Sequence, residues 1–269
     1  MKRIMLDSGA FSAWTRGAVI DIDQYAEFIL KHQDIFEIAV NLDVLNDGKA
    51  SYDNWKYLRS KGCNVMPVYH LSTNRKYLER YLKNTDYICL GAIAKLHTTA
   101  RLKGLTYIWD QYLIDRKTRL PKVKVHGLGL TAIQIMRSYP WYSVDSKAWL
   151  DFASYGKVIM PPLKNGKWSY VDNYIIARVS VRKSGDGLFS MVSVNKDSLS
   201  SQIFMKYIEE KGYVLGKSEL VNGEEVVINP GLCNNGQLRE ELNATYFIDL
   251  VNTFPKWPWP MENTNNYLL

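Results

Sequence analysis

Two stretches share one pattern: Ile4-Met5-Leu6-Asp7-Ser8-Gly9-Ala10-Phe11 and Tyr139-Pro140-Trp141-Tyr142-Ser143-Val144-Asp145-Ser146. In each, an apolar or aromatic run ends in an aspartate followed by serine. Each Asp stands where a buried strand should stop. In an α/β barrel the C-terminal ends of the strands gather on one face, and catalytic side chains collect there. Two carboxylates facing one cavity suit chemistry at a sugar C1′, with one attacking carbon and the other handling a proton.

Working outward from these two runs, short β-rich segments alternate with amphipathic ones through the first two-thirds of the chain. Strands are predicted at 3–7, 36–43, 64–69, 87–93, 122–128, 141–144, 157–160 and 174–181. Helices are predicted at 23–32, 52–61, 73–82, 99–115 and 131–137, the first with Tyr25, Phe28 and Ile29 on one stripe and Asp21 or Asp23 as cap. Thr131 is positioned to cap its helix. Alternation with about eight strands predicts a parallel sheet closed as a (β/α)8 TIM-like barrel, complete or reduced. A doubly wound open sheet is the competing fold, but no glycine-rich fingerprint opens the first helix. The strand ends then carry Asp7, Asn41 with Asp43, Tyr69 with His70, Gly91, His126 with Gly127, and Asp145, all on one face.

The pattern changes after residue 182, so the catalytic domain is predicted at 1–182 and a C-terminal α+β extension at 183–269. The extension reads as a helix at 198–212, a hairpin around Asn222-Gly223, a helix at 237–252 and an irregular Trp-Pro tail, Trp257-Pro258-Trp259-Pro260, packed as a clamp.

Composition narrows the class. The chain has 269 residues, 46% of them hydrophobic, enough for one large domain with a substantial core. Lys+Arg exceed Asp+Glu by 34 to 27, a net charge of +7 that favours a polyanionic partner such as nucleic acid. The densest basic stretch holds Arg101, Lys103, Arg116, Lys117, Arg119, Lys122 and Lys124; it is either a solvated face or a phosphate track. Cys63, Cys89 and Cys233 are far apart and odd in number, with no metal-ligand or disulfide spacing. A reducing cytoplasm is the expected compartment. No membrane span and no signal-peptide core are read in the sequence.

With the strand-end residues in place, residues 4–160 resemble the tRNA-guanine transglycosylase superfamily. The resemblance is nearest to its small phage and bacterial members associated with 7-deazaguanine modification of DNA. Leu6-Asp7-Ser8-Gly9-Ala10-Phe11 resembles the family's Asp-Ser-Gly-Gly-Phe segment. Asn41-Leu42-Asp43 resembles the strand whose Asp reads the base, and Pro67-Val68-Tyr69-His70 falls where the family has Val-Gln-Gly. Leu90-Gly91-Ala92-Ile93-Ala94 resembles its Gly-Gly-Leu-Ala loop. His126-Gly127-Leu128-Gly129 with Tyr142-Ser143-Val144-Asp145-Ser146 resembles its Met-Gly-Val-Gly … Asp-Met-Phe-Asp-Cys stretch.

The resemblance implies Asp145 as nucleophile at C1′ and Asp7 as general acid/base or as a group that positions the base. It implies Asp43 as acceptor for a purine-like edge, and Gly91 and Ala92 as backbone contacts to the base. Ser8, His70 and His126 complete the expected base-binding set. The zinc-binding Cys/His cluster of the tRNA enzymes has no counterpart, and Ser146-Lys147-Ala148-Trp149 replaces the Pro-Thr-Arg that helps hold the anticodon loop. Both departures point from tRNA towards DNA, its target nucleotide flipped out or already single-stranded. Phe11, Trp141 and Trp149 are candidate stacking rings, and Lys122 and Lys124 candidate phosphate contacts.

Product depends on what resolves the intermediate. A free 7-deazapurine or other modified base gives exchange, whereas water gives excision, as in a DNA glycosylase; either suits phage–host conflict. A non-catalytic nucleobase- or nucleotide-binding protein and a tRNA transglycosylase remain alternatives. The carboxylate chemistry calls for no metal or organic cofactor, and the oligomeric state is not legible. Plainer roles compete throughout, since a strand-end Asp also caps helices and forms turns and Trp residues commonly complete cores.

Overall fold

The computed structural model describes residues 4–91, 98–130, 132–181, 189–190 and 198–262. It divides into two units, one running to Asp145 and resuming at Pro255, the other Ser146–Phe254.

In the first unit the strand–helix alternation becomes parallel pairing. β1 (Met5–Leu6) pairs with β2 (Ile38–Val40), and β2 with β3 (Val65–Met66). β4 (Val68–His70) pairs with β5 (Tyr87–Gly91), β5 with β6 (Lys124–Gly127), and β6 with β7 (Ser143–Val144). β3 and β4 are one run split at Pro67, which has no N–H for a ladder; its carbonyl still accepts from the Cys89 amide at 2.8 Å. Neighbours therefore follow chain order with no reversal, whereas a doubly wound sheet reverses at its switch point.

Pleating places alternate residues on one face. On that face Val40, Met66, Val68 and Cys89 form a buried cluster, with Met5, Ile38, Tyr87 and Leu128 packed against it. Asp7 follows Met5 by two residues, and Asp145 follows Ser143 by two.

Caps explain where the helices begin. α1 (Ala10–Thr15) is a short turn with no buried residue. In α2 (Ile22–Lys31) the Asp21 carboxylate accepts from the amides of Asp23 and Gln24 at 2.8 and 3.0 Å, and Tyr25, Ala26 and Ile29 face inward. α3 (Gly48–Ser60) starts ahead of its predicted position because Asp47 caps it through the Lys49 and Ala50 amides. Asn74 caps α4 (Arg75–Leu82). α5 (Thr98–Ile108) runs into a π-helical turn, Trp109–Leu113. Trp109 stacks on Tyr139 at 5.7 Å and meets Trp141 edge-on at 5.2 Å. α6 (Ile133–Ser138) has no side-chain cap; Thr131 lies outside the described residues. The tail packs on this unit as the sequence suggests. Trp257 Nε1 donates to the Pro140 carbonyl at 3.2 Å, and Met261 receives Arg119 Nε at 3.3 Å while donating its amide to the Arg119 carbonyl at 2.9 Å.

The second unit departs from the sequence reading. Segments 157–160 and 174–181, expected as parallel barrel strands, form β8 (Lys157–Met160) and the antiparallel strand Ile175–Arg178. Their link contains only the small hairpin of β9 (Leu163–Lys164) and β10 (Lys167–Trp168). Parallel return requires a crossover, usually helical; without one the chain doubles back. Ile175–Arg178 is β11, and β12 (Phe189–Ser190) pairs parallel with it. The compact units divide after Asp145 and after Phe254.

α7 (Ala148–Ser154), α8 (Leu199–Glu210) and α9 (Gly236–Asn252) complete this unit, together with the predicted hairpin of β13 (Lys217–Val221) and β14 (Glu224–Asn229). The hairpin turns at Asn222 (φ 54) and Gly223 (φ 83), the paired positive dihedrals that a tight two-residue turn demands. Val158, Met160, Ala177 and Val179 pack against Phe204, Tyr207, Ile208 and Leu242.

Asn243, fully buried on α9, ties these layers together. Its Oδ1 accepts from the Ile159 amide at 2.9 Å, and its Nδ2 donates to the carbonyls of Trp149 and Lys157, each at 3.1 Å. Asn243→Ala leaves one buried and two partly buried backbone groups without this partner, and a loss of about 2–3 kcal/mol is expected in urea unfolding; an unchanged midpoint would contradict this account of the core.

Candidate active site

Parallel pairing without reversal puts the C-terminal ends of the first unit's strands on one edge. Asp7 follows β1 directly, Asp43 lies three residues past β2, His70 ends β4, Gly91 ends β5, Gly127 ends β6 after His126, and Asp145 follows β7 directly. Cys89, fully buried in the middle of β5, reports their convergence: burial drives its thiol pKa well up, and the charges of Asp43, Asp145 and Asp7 each add to the rise.

Asp145 is held by backbone and by one imidazole. Its Oδ1 accepts from the Gly129 amide at 2.7 Å, and its carbonyl accepts from the Leu130 amide at 2.9 Å. His126 Nε2 lies 3.4 Å from the same Oδ1, inside ion-pair reach but short of hydrogen-bond alignment. Burial works to raise the Asp145 carboxyl, but His126 and the Gly129 amide outweigh it and hold the group below the ordinary carboxylate range. The side chain is 52% exposed.

Asp7 is displaced in the opposite direction. Burial, then the charge of Asp145, push its carboxyl upward, against the Gly9 and Ser8 amides. Its surface is nonetheless open to solvent. The two observations are compatible: protein packed around a group strips much of its hydration while one side stays wet. Ser8 is buried, its hydroxyl accepting from the Ala10 amide at 3.3 Å.

Asp43 and His70 form a pair. His70 Nδ1 lies 3.2 Å from the Asn46 amide, which can only donate, so Nδ1 is the bare nitrogen and Nε2 donates to Asp43 Oδ2 at 2.8 Å. With both nitrogens engaged, His70 orients Asp43. Gly91 makes room for it, since a Cβ there would lie 2.8 Å from His70 Cδ2 and 2.9 Å from Val68 Cγ1.

The other predicted residues divide. Phe11 (56% exposed) and Trp14 (57%) stand on α1 just past Asp7, ring centres 6.1 Å apart. Ala92 lies outside the described residues. Trp141 is buried, its Nε1 donating to the Ile135 carbonyl, and serves the Trp109–Tyr139 cluster. Trp149 belongs to the second unit. Lys122 and Lys124 precede or begin β6, at the opposite end of the strands. Lys124, with Glu37, Arg59 and Asp86, lines a cavity of about 510 Å³ there that none of the three carboxylates lines. Arg119 is engaged by Asp110 and Met261.

Sequence reasoning missed the Gly129 amide on Asp145 and the Asn46 amide on His70, since a backbone donor leaves no mark in residue identity. The three cysteines are free and buried. Among the described residues no group of three or more His, Cys, Asp or Glu is arranged for a metal, and no helix is long and apolar enough to cross a membrane.

The opposed carboxylates predict opposite stability effects. Asp7 binds its proton more tightly folded than unfolded, so stability falls as pH rises from the ordinary 3.8 through its raised native value. Asp145 binds its proton less tightly folded, so its contribution is present above 3.8 and lost as pH falls through its lowered native value. At neutral pH Asp7→Asn should therefore raise the unfolding free energy and Asp145→Asn lower it, each by less than about 1 kcal/mol because solvent screens both groups. The same sign for both would refute the opposed shifts. Gly91→Ala should displace His70 from Asp43 and cost about 1–3 kcal/mol, read as a change in the His70 ring nitrogen shifts; an unmoved ring would show that the space is not needed.

No protein-family model, curated protein or solved structure matches this chain, so the functional reading rests on its own residues.

Proposed function

We propose that this protein breaks the base–sugar bond of a nucleotide in DNA, with Asp145 as nucleophile at C1′ and Asp7 as general acid/base. The observation that carries the reading is the opposite displacement of two carboxylates from the ends of the first and last parallel strands, one sensing the charge of the other. A pair split this way assigns its own roles: the group that ionises easily attacks, and the group that keeps its proton longer delivers it. Breaking the N-glycosidic bond builds positive charge at C1′, which the exposed carboxylate of Asp145 stabilises or captures, while Asp7 protonates the departing base. Asp43, fixed by His70, accepts from the base edge, and Phe11 with Trp14 supplies a stacking surface.

The same coupling supports a TIM-like barrel as the finer architecture of the first unit. On a flat sheet the first and sixth strand positions would stand about 24 Å apart at ~4.8 Å per strand. Charges so separated are screened beyond a Debye length of about 8–10 Å. An Asp145 charge felt at Asp7 favours a sheet that curls round on itself. The ordered resemblance to the transglycosylase superfamily favours base exchange with a free 7-deazapurine as the incoming group. The net charge of +7 fits a nucleic-acid substrate.

Excision is the second reading, favoured by the exposure of Asp145. Water that reaches this carboxylate can resolve the intermediate and leave an abasic site.

DNA carrying normal or phage-type modified bases, incubated with the protein with and without free deazapurines, should gain or lose a base by nucleoside mass spectrometry. Alkali-labile breaks mark excision. Asp145→Asn should reduce either activity by at least about 10³-fold with the fold intact. An unaffected mutant would sink the enzyme reading in favour of a nucleotide-binding protein, and base exchange confined to tRNA would move the substrate.

A further inference from the structure

A chain of partly buried polar groups runs behind Asp145. The Tyr87 hydroxyl lies 2.7 Å from Ser143 Oγ, and Ser143 Oγ lies 2.7 Å from His126 Nδ1. The far nitrogen, His126 Nε2, is buried with no hydrogen-bond partner and faces Asp145 Oδ1 at 3.4 Å. Strand register builds this line. His126 is directly opposite Ser143 across the β6–β7 pair, Cys89 is opposite His126 across β5–β6, and Tyr87 lies two residues before Cys89 on the same face.

We propose that Tyr87, Ser143 and His126 form a proton-ordered relay that fixes the Nε2–H tautomer of His126 and thereby orients Asp145 as an ionised nucleophile. The inference rests on the base–sugar reading for its catalytic meaning, though not for its chemistry. In this relay the three act as positioning residues.

Two independent arguments give the relay its direction. Tyr87 donates from the far end: Ser143 Oγ is its partner, and burial keeps the phenol protonated, its pKa pushed up to about 12. Ser143 Oγ then accepts from Tyr87 and turns its own proton to His126 Nδ1, which leaves Nε2 carrying the imidazole proton. From the near end, a bare Nε2 would set a lone pair against a carboxylate oxygen, whereas Nε2–H sets a proton there. Both ends favour the same tautomer. The titratable groups around the relay include Asp7, Asp43, Cys89, Tyr142 and Glu37, together with Lys124, whose ammonium sits 6.0 Å over the Tyr87 ring and 4.9 Å over that of Tyr142.

At 3.4 Å the His126–Asp145 approach is loose for a formed hydrogen bond, and catalytic contacts often tighten only when substrate binds. The relay therefore acts in advance by fixing which imidazole nitrogen carries the proton. Substrate closure then has only a distance to shorten.

The full-length protein, labelled in histidine and aspartate, tests this by NMR. In the wild type at neutral pH, His126 should show a protonated Nε2 and a bare Nδ1. Ser143→Ala should populate the Nδ1–H form and raise the pH at which the Asp145 carboxyl titrates. Tyr87→Phe keeps the ring packing and should do the same to a smaller degree. With DNA as substrate, Ser143→Ala should lower kcat about 10- to 100-fold, the range for partners that orient a reacting ligand, with KM little changed. A wild-type Nδ1–H tautomer overturns the relay, as does a folded Ser143→Ala whose tautomer and carboxyl titration match the wild type. A wild type inactive on every DNA offered refutes the base–sugar reading, while the tautomer and titration still decide the relay.

Discussion

Parallel pairing in chain order is the constraint on which this structure depends. It sends every strand of the first unit in the same direction, so the residues just past the strands share one edge. The two-residue repeat of the pleat then decides which of them face each other. Met5 packs on the buried cluster, so Asp7, two residues on, points to the same side. Ser143 reaches His126, so Asp145 faces the same way. The backbone brings the carboxylates to one edge, where the charges of Asp43, Asp145 and Asp7 act on Cys89 and that of Asp145 acts on Asp7.

Convergence of like charges is costly unless the site differentiates them. Here the means are inexpensive: a glycine amide and an imidazole on one aspartate, burial and a neighbouring negative charge on the other. The third carboxylate, Asp43, is managed separately through His70, whose tautomer is fixed by the Asn46 amide. Two imidazoles thus serve two carboxylates, each with its second nitrogen tied back to the protein. Such backing holds a carboxylate at a set angle without placing a competing donor on the open side.

Much of this was legible in the sequence, and the exceptions have physical causes. Strand-end aspartates stand out because a charge directly after an apolar run has few places to go. The Asn222-Gly223 turn and the Asp21 cap were readable for the same local reason. The antiparallel pairing of Lys157–Met160 with Ile175–Arg178 was not, because an apolar strand run looks alike whichever way its neighbour travels; direction was encoded in the helix-free link. Trp141 read as a stacking ring because it flanks Asp145, but its Nε1 partner and its place against Trp109 come from the far side of the sheet. Lys124 read as a phosphate contact by local charge density, yet it opens its strand at the end away from the carboxylates.

The central claim is that Asp145 attacks C1′, and the most direct measurement is of the bond it would form. DNA bearing a cleavable base, quenched with the protein under denaturing conditions and resolved by gel and intact-mass spectrometry, should yield an adduct whose mass equals protein plus the DNA strand less its base, with Asp145 as the modified residue on peptide mapping. Adduct formation at another residue, or base release that proceeds undiminished in Asp145→Asn, would contradict the account.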